Sequence, residues 1–273
     1  MAPRMAAMIV GAKDPGERAL AAEIAILVSE RGLGGASTDL RERIARFRAD
    51  QSQRASALRA QARRWGGEGR TDVEKTGRVI ARATPARIAR AKPGEPGKYL
   101  SVSGRALTLV PADPLSKSQW LAVADSTGAA AGARILAAAP ITEADAFALG
   151  RIETTDDAEF DIATGAIKAR RIKRLGAIVL AETPMAKPTG LAARQSLIKA
   201  VRQHGLALIP NVETIRSFQA RLMLARAIFG DDWPVLNDQA LLDRAEEWLA
   251  PLLGDARGFG NISDENLRRN LSA

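Results

Sequence analysis

The stretch FDIATGAIKARRIKRL, Phe160 to Leu175, decides how the middle of the chain folds. Asp161 can open a turn through its carboxylate and Gly165 can take a positive φ, so the segment reads as a β-hairpin. Its second arm packs five positive charges into the seven residues Lys168 to Arg174, with no acid among them. Its first arm is acidic, with Glu153, Asp156, Asp157, Glu159 and Asp161 ahead of the turn. Antiparallel pairing sets Glu159 near Lys168 and Asp157 near Arg170, which would neutralise the hairpin from within. On the basic arm Ile167 and Ala169 share one face, whereas Ile172 has the other parity. A one-residue bulge at Arg170-Arg171 would reconcile them and project Lys168, one arginine and Lys173 together.

Around this hairpin, from Arg87 to about Thr183, the segments are short, bounded by Gly, Pro and Asp, and centred on β-type residues. They include Tyr99 to Val102, Leu107 to Val110, Trp120 to Ala124, Arg134 to Leu136, Ile167 to Leu175 and Ala177 to Leu180. That spacing predicts a small closed or nearly closed β-barrel. Alanine-rich pieces such as Ala129-Ala130-Ala131 weaken single strands. The residues before Pro85 read as helices. Asp14, Pro15 and Glu17 make a capping-box start, and Leu20, Ile24, Leu27 and Val28 form one stripe ending at Gly32. Asp39 with Glu42 starts a second helix through Leu40, Ile44 and Phe47, continued by Leu58, Ala62 and Trp65. Thr71 with Glu74 caps a third. After a linker at Met185–Gly190, apolar stripes ending at Gly205, Gly230 and Gly254 predict further helices, and the polar tail after Gly260 should fray. The expected fold is α+β and multi-domain: a helical bundle over 1–84, an OB-type barrel over 85–185 and a helical domain over 186–273.

Lys plus Arg exceed Asp plus Glu by nine, so the chain attracts polyanions. Residues 41–64 alone hold eight arginines against Glu42 and Asp50. The absence of cysteine excludes disulfides, thiolate metal sites and thiol nucleophiles, and a single histidine, His204, leaves no basis for a catalytic triad. His204, just before Gly205, suits a helix C-terminus. No run is long and apolar enough to span a membrane, and Lys13 to Glu17 read as a helix entry rather than part of a signal peptide, so a cytoplasmic chain is expected.

Motif-like stretches fail on chemistry. Gly94-Glu95-Pro96-Gly97-Lys98-Tyr99 lacks the spacing of a phosphate-binding loop and the hydroxyl after its lysine. Gly32-Leu33-Gly34-Gly35 follows a helix rather than a strand. Asp157, Glu159 and Asp161 open like a calcium loop, but Ile162 stands where glycine is needed and Lys168 where a glutamate would close the site. No catalytic, cofactor-binding or metal-binding residue can be nominated.

Several stretches together resemble the C-terminal portion of the HrpB-type DEAH-box ATP-dependent helicases. Pro3 to Met8 and Ala22 to Arg31 look like the entry and first long helix of the family's ratchet domain, and Asp39 to Arg43 fit the next. Pro85 to Arg90, Gly97 to Leu100, Ala112 to Leu115, Trp120 to Asp125, Phe160-Asp161, Ala163 to Gly165 and Arg170 to Ala177 are similar to its OB-fold segment. Asp232-Trp233-Pro234 and Glu247 to Pro251 resemble its own C-terminal extension. Asn211, after Ile209-Pro210, departs from the tryptophan expected there. The winged-helix domain and the RecA-like motor domains, with ATP and magnesium, have no counterpart here, so this chain alone should neither hydrolyse ATP nor unwind.

The resemblance implies an accessory region that helps enclose a single strand, RNA favoured over DNA, above a motor in a monomeric protein. Such a role needs cations for phosphates and flat side chains for bases. The candidate nucleic-acid-binding residues are Lys168, Arg170, Arg171, Lys173, Arg174, Arg46, Arg48 and Tyr99. An alternative is a protein-interaction or scaffold module whose C-terminal helices dock on the motor or a partner.

Overall fold

The structure, a computed structural model, describes residues 2–128, 132–185, 190–230, 232–233, 235–254 and 258–271. The Ala129-Ala130-Ala131 stretch lies outside these residues, as do most of the Met185–Gly190 linker and Pro234 of the Asp232-Trp233-Pro234 match. The chain divides into two compact units: Met1–Glu153 with Lys173–Leu180, and Thr154–Ile172 with Ala181–Ala273.

The first unit opens with α1 (Pro3–Val10), α2 (Pro15–Ser29), α3 (Leu40–Ala49), α4 (Gln53–Gly66) and α5 (Thr76–Ala83). The Asp14 carboxylate caps α2 by accepting from the Glu17 N–H at 2.8 Å, while Glu17 reaches back to the Lys13 N–H. The stripe expected to run unbroken from Asp39 to Trp65 is two helices. Asp50 is extended, and the Ser52 hydroxyl accepts from the Ala55 N–H to start α4 anew. Asp72, not Thr71, caps the next turn, accepting from the Glu74 N–H.

Five strands follow: β1 (Ile88–Ala91), β2 (Lys98–Ser101), β3 (Ala106–Thr108), β4 (Trp120–Ser126) and β5 (Ala133–Pro140). They close a barrel in the order β1-β2-β3-β5-β4, with β3 parallel to β5 and β1 paired to β4. The continuous apolar run of β4 has a physical cause. Leu121 and Val123 point into the barrel core with Tyr99, Leu107 and Ile135. Trp120, Ala122 and Ala124 join the core formed with Leu20, Ile24 and Phe47 of the helices, so both faces are buried. One hydrophobic core therefore runs across the expected boundary at residue 84.

α6 (Glu143–Leu149) then interrupts the strands, and β6 (Ile152–Asp161), β7 (Ala166–Leu175) and β8 (Ile178–Met185) form a separate sheet ordered β6-β7-β8. The basic stretch was expected in the barrel and is not there, because pairing of β1 with β4 already closes that barrel. The expected turn forms: Gly165 adopts φ +65°, its N–H reaches the Asp161 carbonyl, and the Asp161 carboxylate accepts from the Ala163 N–H. Across the hairpin Arg170 meets Asp157 and Arg171 meets Asp156. Ile167 and Ile172 are both buried.

The second unit adds α7 (Leu191–His204), α8 (Val212–Phe229), α9 (Asp238–Asp243), α10 (Ala245–Leu253) and α11 (Asp264–Leu271). Ile167 of β7 shares their core with Leu197, Val201, Ile215 and Leu249. The tail expected to fray is helical instead, because Leu267 is fully buried in this core. Asn211 sits at φ +59°, a left-handed conformation that a short amide side chain tolerates and a tryptophan would not.

Candidate nucleic-acid interface

A cation contacts a phosphate readily only if no carboxylate already holds it. On that criterion the basic strand is largely occupied. Lys168 pairs with Asp161 at 2.5 Å, Arg171 with Asp156 at 2.8 Å, and Arg170 with both Asp157 and Glu182 at 3.1 and 3.2 Å. The carboxylates respond: Arg171 holds Asp156, and Lys168 holds Asp161, below the usual carboxylate range. Lys173 lies over the Phe147 ring, 5.9 Å from its centroid. Arg174 is the charge of this stretch left without a partner among the described residues. Beside the hairpin, a cleft of about 650 Å³ is lined by Asp157, Glu159, Asp161, Lys168, Arg170 and Lys199 among others, a balanced set that gives a polyanion little net attraction.

The arginines of residues 41–64 divide by task. Arg43 is buried and donates to the Leu27 and Leu33 carbonyls, and Arg59 donates to those of Phe47 and Asp50. Arg48 spends its fork on Glu23, at 3.0 and 2.5 Å, and on the Thr71 hydroxyl, so it acts inside the bundle. Arg46 is 57% exposed and held by Glu42 one turn away. Arg63 and Arg64 are exposed and have no partner among the described residues. Gly66 brings α4 close to α2, since a Cβ there would lie 2.6 Å from the Arg18 carbonyl oxygen. The likewise exposed Arg18 thus stands at the same end of the helix pair as Arg63 and Arg64.

Tyr99 is not a stacking surface. Its ring is fully buried in the barrel, and its hydroxyl lies 2.7 Å from the Leu115 carbonyl and 2.8 Å from that of Ser118. Burial pushes the phenol up to about 12. Trp120 is buried as well. No group of His, Cys, Asp and Glu among the described residues has a metal-binding arrangement.

The excess charge is segregated. The first unit holds 26 Lys and Arg against 16 Asp and Glu, a net of +10, and the second holds 14 against 15. Three further arginines of the first unit, Arg4, Arg87 and Arg105, gather at one end of β4; their distance in sequence gave no signal.

No family model matches the chain. The ATP-dependent RNA helicase HrpB of Escherichia coli (strain K12) is 32% identical to it over 254 residues, 91% of this chain. The chain is similar to HrpB over most of its own length. Two crystal structures of Escherichia coli HrpB, one described as a DExH-box NTPase and one as a DEAH/RHA helicase, resemble the chain in fold. They match 99% and 98% of the chain with TM-scores of 0.63 and 0.60, at 27% identity. The chain spans about a third of these relatives: 31% of the curated protein and 34% and 33% of the crystallised chains. Among the described residues no helix is long and apolar enough to cross a membrane.

Proposed function

We propose that this chain is a nucleic-acid-binding accessory region of an HrpB-like ATP-dependent helicase, helping to hold a single strand, RNA in preference to DNA, for a motor that uses ATP and magnesium. The observation that carries the proposal is the segregation of charge, with the net +10 on the unit that contains the barrel. The barrel's strand order, with β3 parallel to β5, supports an OB-type module, a fold that serves oligonucleotide binding. The contact residues proposed are Arg63, Arg64 and Arg18, with Arg174 as the contribution of the basic strand. Lys168, Arg170 and Arg171 shape the hairpin, and Arg48 braces the bundle. The reading places the chain in the cytoplasm as part of a monomer.

Equilibrium binding of a labelled oligouridylate at two salt concentrations tests this. The chain should bind at low salt with a steep salt dependence, and Arg63→Gln with Arg64→Gln should weaken binding while Arg170→Gln with Arg171→Gln leaves it within about twofold. Absence of binding by the parent chain at low salt would remove the proposal.

A second reading, docking of the C-terminal helices on the motor or a partner, is favoured by the exposed apolar end of α8. Met223, Leu224, Ile228 and Phe229 there are each more than 60% exposed on the unit without excess charge.

A further inference from the structure

β6 is the first strand of its sheet, so β7 pairs with one side of it and no strand pairs with the other among the described residues. No backbone N–H or carbonyl between Asp157 and Phe160 bonds outside the sheet among those residues. An open edge of this kind is a template for one more strand. The cleft of about 650 Å³ lies along it. Consecutive residues of a strand point to opposite faces, yet the cleft touches every residue from Asp157 to Ala163, so it follows the edge rather than one face. Its other wall is α7, which contributes Ser196, Lys199, Ala200 and Gln203, spaced i, i+3, i+4 and i+7 on one side of the helix. Both walls belong to the second unit.

The walls carry polar groups that the fold does not pair. Ser196 is 7% exposed, and its buried hydroxyl has no hydrogen-bond partner. Lys199 has no carboxylate partner among the described residues. Asp157 and Asp161 hold Arg170 and Lys168, which leaves Glu159 as the acid of this row without an ion pair, although its field reaches both cations. Ala158 and Phe160 pack against the core that holds Leu197 and Val201 of α7, whereas Glu159 has the other parity. Glu159 and Lys199 therefore flank opposite faces of any strand added at this edge. Side chains of an added strand alternate in the same way, so adjacent residues of opposite charge would meet both groups. A second copy of this chain does not fit, because its own β6 would set Asp157, Glu159 and Asp161 against the same row. Like charges opposite one another across a ladder are destabilising.

We propose that this edge is the docking site for an extended peptide of a partner protein, which adds beside β6 as a fourth strand and places a basic residue at Glu159 and an adjacent acidic residue at Lys199. Backbone hydrogen bonds along the roughly 13 Å from Asp157 to Asp161 supply affinity. The two charges and the Ser196 hydroxyl supply the choice of sequence. The site involves no nucleic acid and stands apart from the functional reading above.

The test uses the full chain and a labelled, end-blocked hexapeptide, Thr-Val-Lys-Glu-Val-Thr, with fluorescence anisotropy for affinity and hydrogen exchange for place. The parent should bind it, and the amides of residues 157–161 should gain protection. The same peptide with every backbone nitrogen methylated should not bind, because strand addition needs those donors. Glu159→Gln should weaken binding about two- to fivefold, as for an exposed ion pair. Glu159→Lys should weaken it further and should bind Thr-Val-Glu-Glu-Val-Thr better than the parent does, which a misfolded variant cannot do. Ser196→Ala removes a buried hydroxyl without a partner, so it should raise the melting temperature while lowering peptide affinity about two- to tenfold. No binding by the parent, equal binding of the methylated peptide, or no protection of β6 would overturn the proposal. Protection of the same amides by a labelled oligouridylate in place of the peptide would overturn it as well.

Discussion

Removing one oxygen from the barrel tests whether Tyr99 serves the fold or the ligand. In Tyr99→Phe the ring keeps its place, but the Leu115 and Ser118 carbonyls, 2.7 and 2.8 Å from the hydroxyl, lose the donor they share. A buried acceptor left unpaired costs about 1–3 kcal/mol, or roughly 2–10 °C in melting temperature for a unit of this size. Oligonucleotide affinity should stay within about twofold, because a fully buried ring has no face to offer a base. Tyr99 is the only tyrosine in the chain, so tyrosinate absorbance reports this one group. Its folded-state pKa is raised to about 12 from the ordinary 10. The folded state thus keeps a proton that the unfolded state gives up, and stability present below pH 10 should decline as pH rises toward 12, by on the order of 2 kcal/mol. Thermal melts from neutral to strongly alkaline pH, with absorbance followed alongside, measure both effects. A tyrosinate signal appearing near pH 10 in folded protein, or Tyr99→Phe melting with the parent, would refute the reasoning.

Other substitutions probe the frame around the site. Gly77→Ala would normally favour a helix, but a Cβ there falls 2.0 Å from the Pro140 carbonyl oxygen, so the melting temperature should drop, with a loss of about 1–3 kcal/mol seen in denaturant titration. Arg48→Gln should destabilise by about 2 kcal/mol through the stranded Glu23, whose side chain is 16% exposed, while leaving oligonucleotide affinity unchanged. Glu17 is held below its ordinary 4.5 chiefly by its hydrogen bond from Arg82. A depressed carboxylate stabilises above its unfolded pKa, so this contribution should disappear as pH falls below about 4.5, and melting curves of Glu17→Gln should lack that part of the acid loss.

Much of this was legible in the residues themselves. Local signals were reliable where the chemistry is local: the Asp14 cap, the Asp161–Gly165 turn, the pairing of Asp157 with Arg170 and the helix stops at Gly205 and Gly230 all form as their residues dictate. The closed barrel and the mixed α+β architecture were also readable, from short β-type segments between turn residues. What failed depended on distant partners. Whether a strand of the right composition joins the barrel is decided by which edges remain open, and the closure by β1 and β4 cannot be seen from β7 itself.

The candidate site was less legible than the fold. A run such as Lys168 to Arg174 is conspicuous because its charges are adjacent; the acids of the opposite arm were legible too, but which cations they hold is decided only in the folded sheet. Arg48 likewise looks exposed on a helix wheel until Glu23 is found beside it. Arg4, Arg87 and Arg105 are inconspicuous singly and meet only once β4 has folded.

The central claim is that the polyanion contact lies on the first unit and not on the paired cations Lys168, Arg170 and Arg171 of the basic strand. Photo-crosslinking of a thiouridine-substituted oligonucleotide to the chain at low salt, with the modified peptides mapped by mass spectrometry, tests it most directly. Crosslinks should fall on peptides of the first unit, around Arg18, Arg63 and Arg64. Crosslinks concentrated between Asp156 and Arg171 would contradict the claim.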